Sequence, residues 1–431
     1  MTAFLRTDVQ SMTIWIELSG LLTVRIAAVL TLLCGGIGAW TEVTAQLPPV
    51  PVPPENPITE AKRVLGKALF WDEQLSSNNT VACGTCHRPA AGGADPRVGR
   101  FTGTDDRIVD DVWGSPGVVA MNEAGETLQH PIFGDEPQVT TRIAPSNFGA
   151  LWATEQFWDG RAGSEFVDPL TGEIVIASGG ALENQALAPL SNPVEMTRPG
   201  RTWGELTAKL ESVRPLALAR NLPPDVVAAI EANPDYPSLF QVAFDDPEIT
   251  PVRIAFAIAT YERTLVADQT PWDRYMAGDE TTLPERAVDG WGIFQRLHCI
   301  NCHEPPLFTN NDFLNIGLRP TRFDLGRQIV TGDEEDGGEM KVPSLRNVAL
   351  RTRLMHTGEF SRLPAAIMFY DNGIALPGRD EIPDVGIYFF SLNGLDNYDL
   401  AAFLRDGLVD PRVANETFPF DRPTLQSEET P

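Results

Sequence analysis

Two copies of one short cysteine–histidine motif constrain this chain more than any other feature of its sequence. CGTCH at residues 83–87 and CINCH at residues 299–303 both read C-x-x-C-H. This is the attachment signature of c-type haem, because two thiols at this spacing add to the two vinyl groups of one haem and the adjacent histidine binds the iron. The predicted attachment and iron-binding residues are Cys83, Cys86, His87, Cys299, Cys302 and His303.

Two other readings of these cysteines are weaker. A structural zinc site would combine both pairs in one tetrahedral site and would not require a histidine directly after each pair. A framework of two disulfides would matter little to a chain of 431 residues. Beyond the N-terminal segment, every cysteine belongs to one of the two motifs. We therefore expect two covalently bound haem c groups.

The N-terminus predicts export. An apolar run at residues 26–40 follows Arg25, and Val43 and Ala45 suit a signal-peptidase cut before Gln46. Residues 1–45 are therefore read as a signal peptide and the mature protein as periplasmic. An uncleaved membrane anchor over residues 13–40 is the alternative, and the leucines before Cys34 are poor for a lipoprotein cut.

The charge narrows the class of partner. The formal net charge is −26, which disfavours nucleic acid and anionic membrane surfaces because both would repel the protein. Such a charge would steer a basic partner, or it would serve only to keep the protein soluble, and the second reading is slightly preferred.

Helical patterns precede both motifs, and no alternating strand pattern stands out. Apolar positions spaced for a helix follow Thr59, a predicted N-cap, and others run through residues 251–267 and 284–297. Residues 91–145 are read as long loops. We expect a mostly α fold of two cytochrome c-like haem domains with long irregular loops, at residues 46–270 and 271–431.

The chain resembles the bacterial di-haem cytochrome c peroxidase and MauG family from about residue 54 to about residue 405. The resemblance rests on several motifs in the family's order. They are the approach to the first haem motif (55–87), FWDGRA (157–162), NPVEM (192–196), ATYERTL (259–265), CINCHEPPLFTN (299–310), KVPSLRNVAL (341–350) and MHTGEF (355–360).

The resemblance implies a first haem that binds peroxide and a second haem that relays electrons to it. Trp158 matches the tryptophan between the haems, where an indole offers a stop for electron transfer; its alternative role is that of a core tryptophan. Gln185 and Glu195 match the polar pair above the first haem. A carboxylate in a largely apolar pocket suits proton transfer to peroxide, because burial raises its pKa; the alternative for Glu195 is an ordinary surface acid.

The chain departs from the peroxidases at the first haem. A second histidine ligand lies about sixteen residues after the proximal one in peroxidases that need reductive activation, and here that position is Gly103. His130 is the next histidine along the chain and is read as a surface or structural residue. An open first haem, as in MauG proteins, is therefore expected.

The second haem departs in the same direction. The family's sixth ligand lies fourteen residues after the histidine of the MHDG-like motif, and counting from His356 reaches Tyr370. The peroxidases have methionine there and MauG has tyrosine, which lowers the haem potential. Met368 is the alternative ligand.

The family also implies a calcium ion between the haems. The carbonyl groups of Arg351 and Arg353 would be donors, but the family's asparagine ligand corresponds to Ile143. Calcium is therefore a weaker expectation than the haems.

Three functions are weighed. The first is reduction of hydrogen peroxide with electrons from a small cytochrome c or copper protein. The second is a MauG-like, peroxide-dependent oxidation of a protein or small organic substrate. The third is a plain electron carrier, which Gln185 and Glu195 over an open haem argue against. A homodimer is a further expectation from the family.

Overall fold

The computed structural model describes residues 46–102, 111–371 and 391–429, which belong to one compact unit. The predicted signal peptide (1–45) and Gly103 lie outside the described residues. Within these ranges no helix is long and apolar enough to span a bilayer.

The described chain is mostly helical with little sheet, which confirms the predicted mostly α content. Its helices are α1 Glu60–Phe70, α2 Cys83–Cys86, α3 Ala181–Leu187, α4 Trp203–Ser212, α5 Pro224–Ala232, α6 Tyr236–Phe244, α7 Pro251–Glu262, α8 Pro271–Met276, α9 Glu285–Arg296, α10 Gln328–Thr331, α11 Leu363–Phe369, α12 Asp396–Ala402 and α13 Pro411–Ala414. Its strands are β1 Gly99–Phe101, β2 Val112–Gly114, β3 Pro116–Val119, β4 Pro137–Val139, β5 Phe166–Val167, β6 Ile174–Ile176, β7 Phe313–Leu314 and β8 Met340–Lys341.

The first core is built around the crossing of α1 and α7. The side-chain oxygen of Thr59 accepts a 3.2 Å hydrogen bond from the backbone nitrogen of Lys62, as expected of an N-cap. Gly66 permits the close crossing, since a Cβ there would lie 1.8 Å from the carbonyl oxygen of Ala257. Helix α7 ends earlier than its apolar pattern, because the hydroxyl of Thr264 bonds back to the carbonyl of Tyr261 at 2.6 Å.

The second core also contains a close helix crossing, between α9 and α12. A Cβ at Gly290 would lie 2.0 Å from the carbonyl oxygen of Asp399, so these helices also touch through a glycine. An aromatic cluster fills the remaining space, with ring centroids 4.8–6.3 Å apart around Phe308. Each glycine-crossed helix, α1 and α9, precedes one C-x-x-C-H motif.

The short strands pair as four antiparallel ribbons that the sequence did not predict. Two of them, β1–β2 and β3–β4, lie inside residues 91–145, which were read as loops. Strands of two to four residues are too short to show an alternating pattern. The segment 164–180 forms the ribbon β5–β6 and buries Phe166 and Ile176 in the first core.

The residues that follow the second core return to the first one. Val413, Phe420 and Leu425 are buried in the cluster built by α1 and α7. The ammonium group of Lys67, in the middle of α1, pairs with Asp421 at 3.0 Å. Residues 411–429 therefore pack on the N-terminal side of the predicted boundary at 270.

Candidate functional site

The first C-x-x-C-H motif forms the short helix α2, which is pressed against Trp71. A Cβ at Gly84 would lie 2.2 Å from the indole ring of Trp71, so only glycine allows this contact. The hydroxyl of Thr85 accepts a 2.8 Å hydrogen bond from the backbone nitrogen of Ala82, which closes the turn. These contacts fix the backbone that carries the first pair of cysteines.

His87 follows α2 with its imidazole held by the backbone. Its Nδ1 lies 3.0 Å from the carbonyl oxygen of Gly93, and burial lowers the pKa of the His87 side chain. A neutral ring that donates from Nδ1 leaves the Nε2 lone pair available, which is the tautomer an iron ligand requires.

The second motif has the same arrangement. Cys299–Asn301 forms a single 3₁₀ turn, and Nδ1 of His303 lies 3.2 Å and 3.1 Å from the carbonyl oxygens of Phe308 and Pro343. Burial lowers the pKa of His303 to about 4. Both histidines thus fit the role of a neutral proximal ligand.

Each motif opens on its own cavity. The first cavity, of about 610 Å³, is lined by Cys83, Cys86 and His87, and by both residues predicted to act on peroxide, Gln185 and Glu195. The second cavity, of about 210 Å³ and mostly apolar, is lined by its own motif residues, Cys299, Cys302 and His303. Covalent attachment at the two motifs and a largely apolar lining fit the binding of two haem groups.

Glu195 is held in place by a neighbouring amide. The side-chain nitrogen of Asn192 donates a 2.7 Å hydrogen bond to a carboxylate oxygen of Glu195. Removal from water raises the pKa of the Glu195 carboxyl, and the nearby Arg161 partly offsets this. Gly117 supports the same segment, since a Cβ there would lie 1.9 Å from the carbonyl oxygen of Val194.

Trp158 lies in the wall that the two cavities share, because it lines both. Its indole nitrogen donates a 2.8 Å hydrogen bond to the carbonyl oxygen of Ile143, and its own carbonyl accepts from the backbone nitrogen of Lys341 at 2.7 Å. The side chain is buried and its ring meets that of His356 edge-on, with centroids 6.1 Å apart.

The structure separates the two candidate sixth ligands of the second haem. Tyr370, at the end of α11, lines the second cavity together with His303. Met368 does not line it and is 39% exposed. Met355 also borders the second cavity.

His130 lies against the first cavity but is engaged in its own loop. Its Nδ1 accepts hydrogen bonds from the backbone nitrogens of Ile132 and Phe133 at 3.1 and 3.3 Å. The imidazole also stacks on the ring of Phe133, with centroids 4.9 Å apart. These contacts suit the structural role expected of it.

Sequence reasoning missed a second carboxyl group in the first cavity. Glu262, the last residue of α7, lines this cavity and is 3% exposed. Burial raises its pKa to about 8, so the side chain is largely protonated at neutral pH. A signal was available, because Glu262 lies one helical turn after Ile258 on an otherwise apolar face.

In the sequence, His356 served only as the starting point for counting to Tyr370, but its side chain is buried within the site. It is 5% exposed and lines the second cavity. Burial lowers its pKa to about 4, and its Nε2 has no hydrogen-bond partner among the described residues. Its position beside Trp158 could not be read from spacing alone.

Comparison with known proteins matches this geometry to one family. The model of the family described as di-haem cytochrome c peroxidase matches residues 60–281, more than half of the chain. The chain is 29% identical to the cytochrome c peroxidase Ccp of Escherichia coli (strain K12) over 358 residues, covering 81% of this chain but 61% of that protein. It is 30% identical to the methylamine utilization protein MauG of Methylorubrum extorquens over 368 residues, covering 84% of this chain and 82% of that one.

Solved structures agree on the fold. A MauG-like protein associated with microbial copper homeostasis superposes with a TM-score of 0.60 at 25% identity, covering 87% of this chain and 96% of that one. The di-haem peroxidase BthA of Burkholderia thailandensis gives a TM-score of 0.56 at 18% identity, covering 86% and 91%. With the matched family model and relatives, these results show that the chain belongs to the di-haem cytochrome c peroxidase family, a family of oxidoreductases that act on peroxide.

Proposed function

We propose that the protein reduces hydrogen peroxide at a haem held by Cys83, Cys86 and His87, with electrons entering through a second haem held by Cys299, Cys302 and His303. The proposal rests on the first cavity, which is lined by His87, Gln185 and Glu195. A bound haem would supply the iron site for peroxide and one-electron chemistry. A plain electron carrier has no need of a carboxyl group and an amide beside its iron.

The chain's own residues supply proton handling. Glu195, with a raised pKa, would take a proton from peroxide and return it to the departing oxygen. Asn192 keeps the carboxylate aimed through its 2.7 Å hydrogen bond. Gln185, on α3, can donate from its side-chain amide to the same oxygen atoms.

The path for electrons runs through the wall between the cavities. Trp158 is the residue that lines both, and its hydrogen bond to Ile143 keeps the indole in one orientation. We take each cavity to belong to one haem domain, residues 46–270 and 271–431. The two separate cores and the repeated glycine crossings of α1 and α9 support two such domains, although residues 411–429 pack into the first core and not the second.

The electron donor and the cellular location of the protein are proposed from its charge and its N-terminal segment. A small cytochrome c or copper protein is proposed as electron donor, and the net charge of −26 would favour a basic one. Export directed by residues 1–45 would place the protein in the periplasm. A homodimer stays a prediction from the family.

An EPR spectrum of the ferric holoprotein, before and after one equivalent of peroxide, tests the proposal. A high-spin signal that disappears on addition of peroxide is expected from an open first haem. An all-low-spin spectrum that peroxide leaves unchanged until one haem is reduced would contradict the open site and would identify an activation-dependent enzyme. Peroxide-dependent oxidation of a reduced small cytochrome, measured by absorbance, then tests the reductase reaction itself.

One observation favours a second function, a MauG-like oxidation of a protein or small organic substrate. Tyr370 lines the second cavity, whereas Met368 points elsewhere and is exposed. An oxygen ligand lowers the potential of a haem relative to methionine, which disfavours simple electron relay. Tyr370→Met should raise the second haem's reduction potential by on the order of 0.1 V, and Met368→Leu should leave it unchanged. Equal potentials in Tyr370→Met and wild type would exclude Tyr370 as ligand and remove this support.

A further inference from the structure

An arginine in the partition between the two cavities has no carboxylate partner among the described residues. Arg351 lines the second cavity, and its Nη2 donates a 3.2 Å hydrogen bond to the carbonyl oxygen of Ala144, a residue that lines the first. Its Nε is buried without a partner in the described parts of the chain. Two other arginines that are largely shielded from solvent differ, since Arg142 and Arg346 both form ion pairs with aspartates at 2.6–2.7 Å.

The guanidinium remains charged despite its surroundings. Burial lowers the pKa of Arg351 to about 10, which still leaves the side chain protonated at neutral pH. A buried cation without a counter-charge is costly, so buried charges in proteins are normally paired with an opposite charge or a ligand. The position of Arg351 therefore calls for an anion that the described protein does not itself provide.

The residues at this position do not fit calcium. Calcium takes six to eight oxygen ligands, but the side chain of Ile143 is apolar. The carbonyl oxygen of Ile143 already accepts from Trp158, and that of Ala144 from Arg351. The described residues also contain no group of three or more His, Cys, Asp or Glu side chains that could hold a metal ion.

We propose that the guanidinium of Arg351 supplies the positive charge between the two haem sites in place of a calcium ion, and that it pairs with a propionate carboxylate of the haem in the second cavity. This inference rests on the proposed placement of the two haems. A haem carries two propionate groups, and a planar guanidinium binds a carboxylate through two parallel hydrogen bonds. The guanidinium and the carboxylate would then neutralise each other.

The stem of Arg351 connects this charge to the first haem site. A Cβ at Gly92 would lie 3.3 Å from Cγ of Arg351 and 2.6 Å from the carbonyl oxygen of Asn347. Gly92, with φ +67°, is followed directly by Gly93, whose carbonyl holds Nδ1 of His87. Arg351 thus lines one site while its stem packs on the loop that positions the iron ligand of the other.

The neighbouring Arg353 provides a matched control. Its guanidinium lies 4.2 Å from the centre of the Trp113 ring and donates to the carbonyl oxygen of Gly358 at 3.4 Å. Arg353 lines neither cavity. Arg351→Gln and Arg353→Gln each remove one positive charge, at positions two residues apart. Because Arg351 lines the second cavity and Arg353 does not, only Arg351→Gln should change the potential of the second haem.

The test begins with metal analysis of the wild-type holoprotein, after haem counting has established two haems per chain. Two iron atoms and no stoichiometric calcium are expected, and neither calcium nor a chelator should change the ferric spectrum or the unfolding midpoint. One calcium per chain whose removal changes the spectrum would overturn the inference. Fewer than two haems would instead overturn the proposed function on which it rests.

Potentiometry of the variants tests the charge itself. In Arg351→Gln the ratio of reduced to oxidised second haem at a fixed potential should fall roughly tenfold, or about 59 mV, because a nearby positive charge stabilises the reduced state. Arg351→Lys should recover most of the loss, and Arg353→Gln should match wild type. An unchanged potential in Arg351→Gln would refute the inference. If that variant fails to fold, a potential in Arg351→Lys that lies about 59 mV below wild type, although the positive charge is kept, would refute it.

Discussion

The indole nitrogen of Trp158 donates a 2.8 Å hydrogen bond to the carbonyl oxygen of Ile143 inside the wall shared by both cavities. Trp158→Phe keeps an aromatic ring there but removes the donor. A buried carbonyl left without its partner should cost about 1–3 kcal/mol of unfolding free energy. Electron transfer between the haems, followed by stopped-flow absorbance after partial reduction, should also slow.

Trp113→Phe is the control for this prediction. Trp113 lies under Arg353 and borders neither cavity. Trp113→Phe should leave the rate of electron transfer between the haems unchanged. Equal rates in wild type and Trp158→Phe would show that electrons take another path.

The carboxyl group of Glu195 should be needed for peroxide turnover but not for haem attachment. Glu195→Gln keeps the shape of the side chain but cannot accept the proton, so the rate of reaction with peroxide should fall by about 10²–10⁴. Stopped-flow mixing of the ferric protein with peroxide measures this. Glu211→Gln, at an exposed position of α4, should react like wild type; a Glu195→Gln rate within threefold or so of wild type would assign the proton to another group.

Replacement by alanine should have opposite effects on stability at two glycines of α9. A Cβ at Gly290 would lie 2.0 Å from the carbonyl oxygen of Asp399, whereas a Cβ at Gly292 meets no atom within 4 Å. Gly290→Ala should therefore destabilise the protein by about 1–3 kcal/mol. Gly292→Ala should stabilise it by about 0.5–1 kcal/mol, because alanine loses less entropy on entering a helix. Urea unfolding of the holoprotein measures the change in unfolding free energy for each variant. Changes of the same sign in the two variants would be inconsistent with the close crossing.

The buried carboxyl of Glu262 should make stability depend on pH. Its pKa is raised to about 8 in the folded protein from an ordinary value of 4.5, so the folded state holds an extra proton between these two pH values. The stabilisation from that proton is complete below pH 4.5 and is lost as the pH rises through 8.

Glu262→Gln removes this dependence. The stability of the variant minus that of wild type should therefore rise with pH across this window, by at most about 1.4 kcal/mol per pH unit. Unfolding curves at a series of pH values measure the difference, with a substitution at the exposed Glu211, Glu211→Gln, as the control. Parallel curves for wild type and Glu262→Gln would mean that Glu262 titrates normally.

The features that sequence predicts well here are those with a local cause. Thr59 could be read as an N-cap because its hydroxyl needs only the backbone of the next turn. The helix before the second motif was likewise visible in its own periodicity and appears as Glu285–Arg296. The haem motifs themselves depend on five consecutive residues, and the family that they suggested is confirmed.

The missed features depend on contacts between distant segments. Glu262 reads as the polar end of a helix until the fold closes a cavity over it. Arg351 was considered only for its carbonyl, because nothing in the sequence reveals that its side chain lies between two sites. The ribbons within residues 91–145 were missed since strands of three or four residues carry too few side chains to define a period.

The return of residues 411–429 to the first core has a consequence for how this protein can be divided and assembled. Val413, Phe420 and Leu425 fill the core built by α1 and α7, and Asp421 neutralises Lys67 there. A fragment cut at residue 270 would leave an apolar trough, and the buried ammonium group of Lys67 would keep only Asp225 of its two aspartate partners. The first core is therefore complete only when residues 411–429 have joined it, so an N-terminal fragment on its own is expected to lack part of its interior.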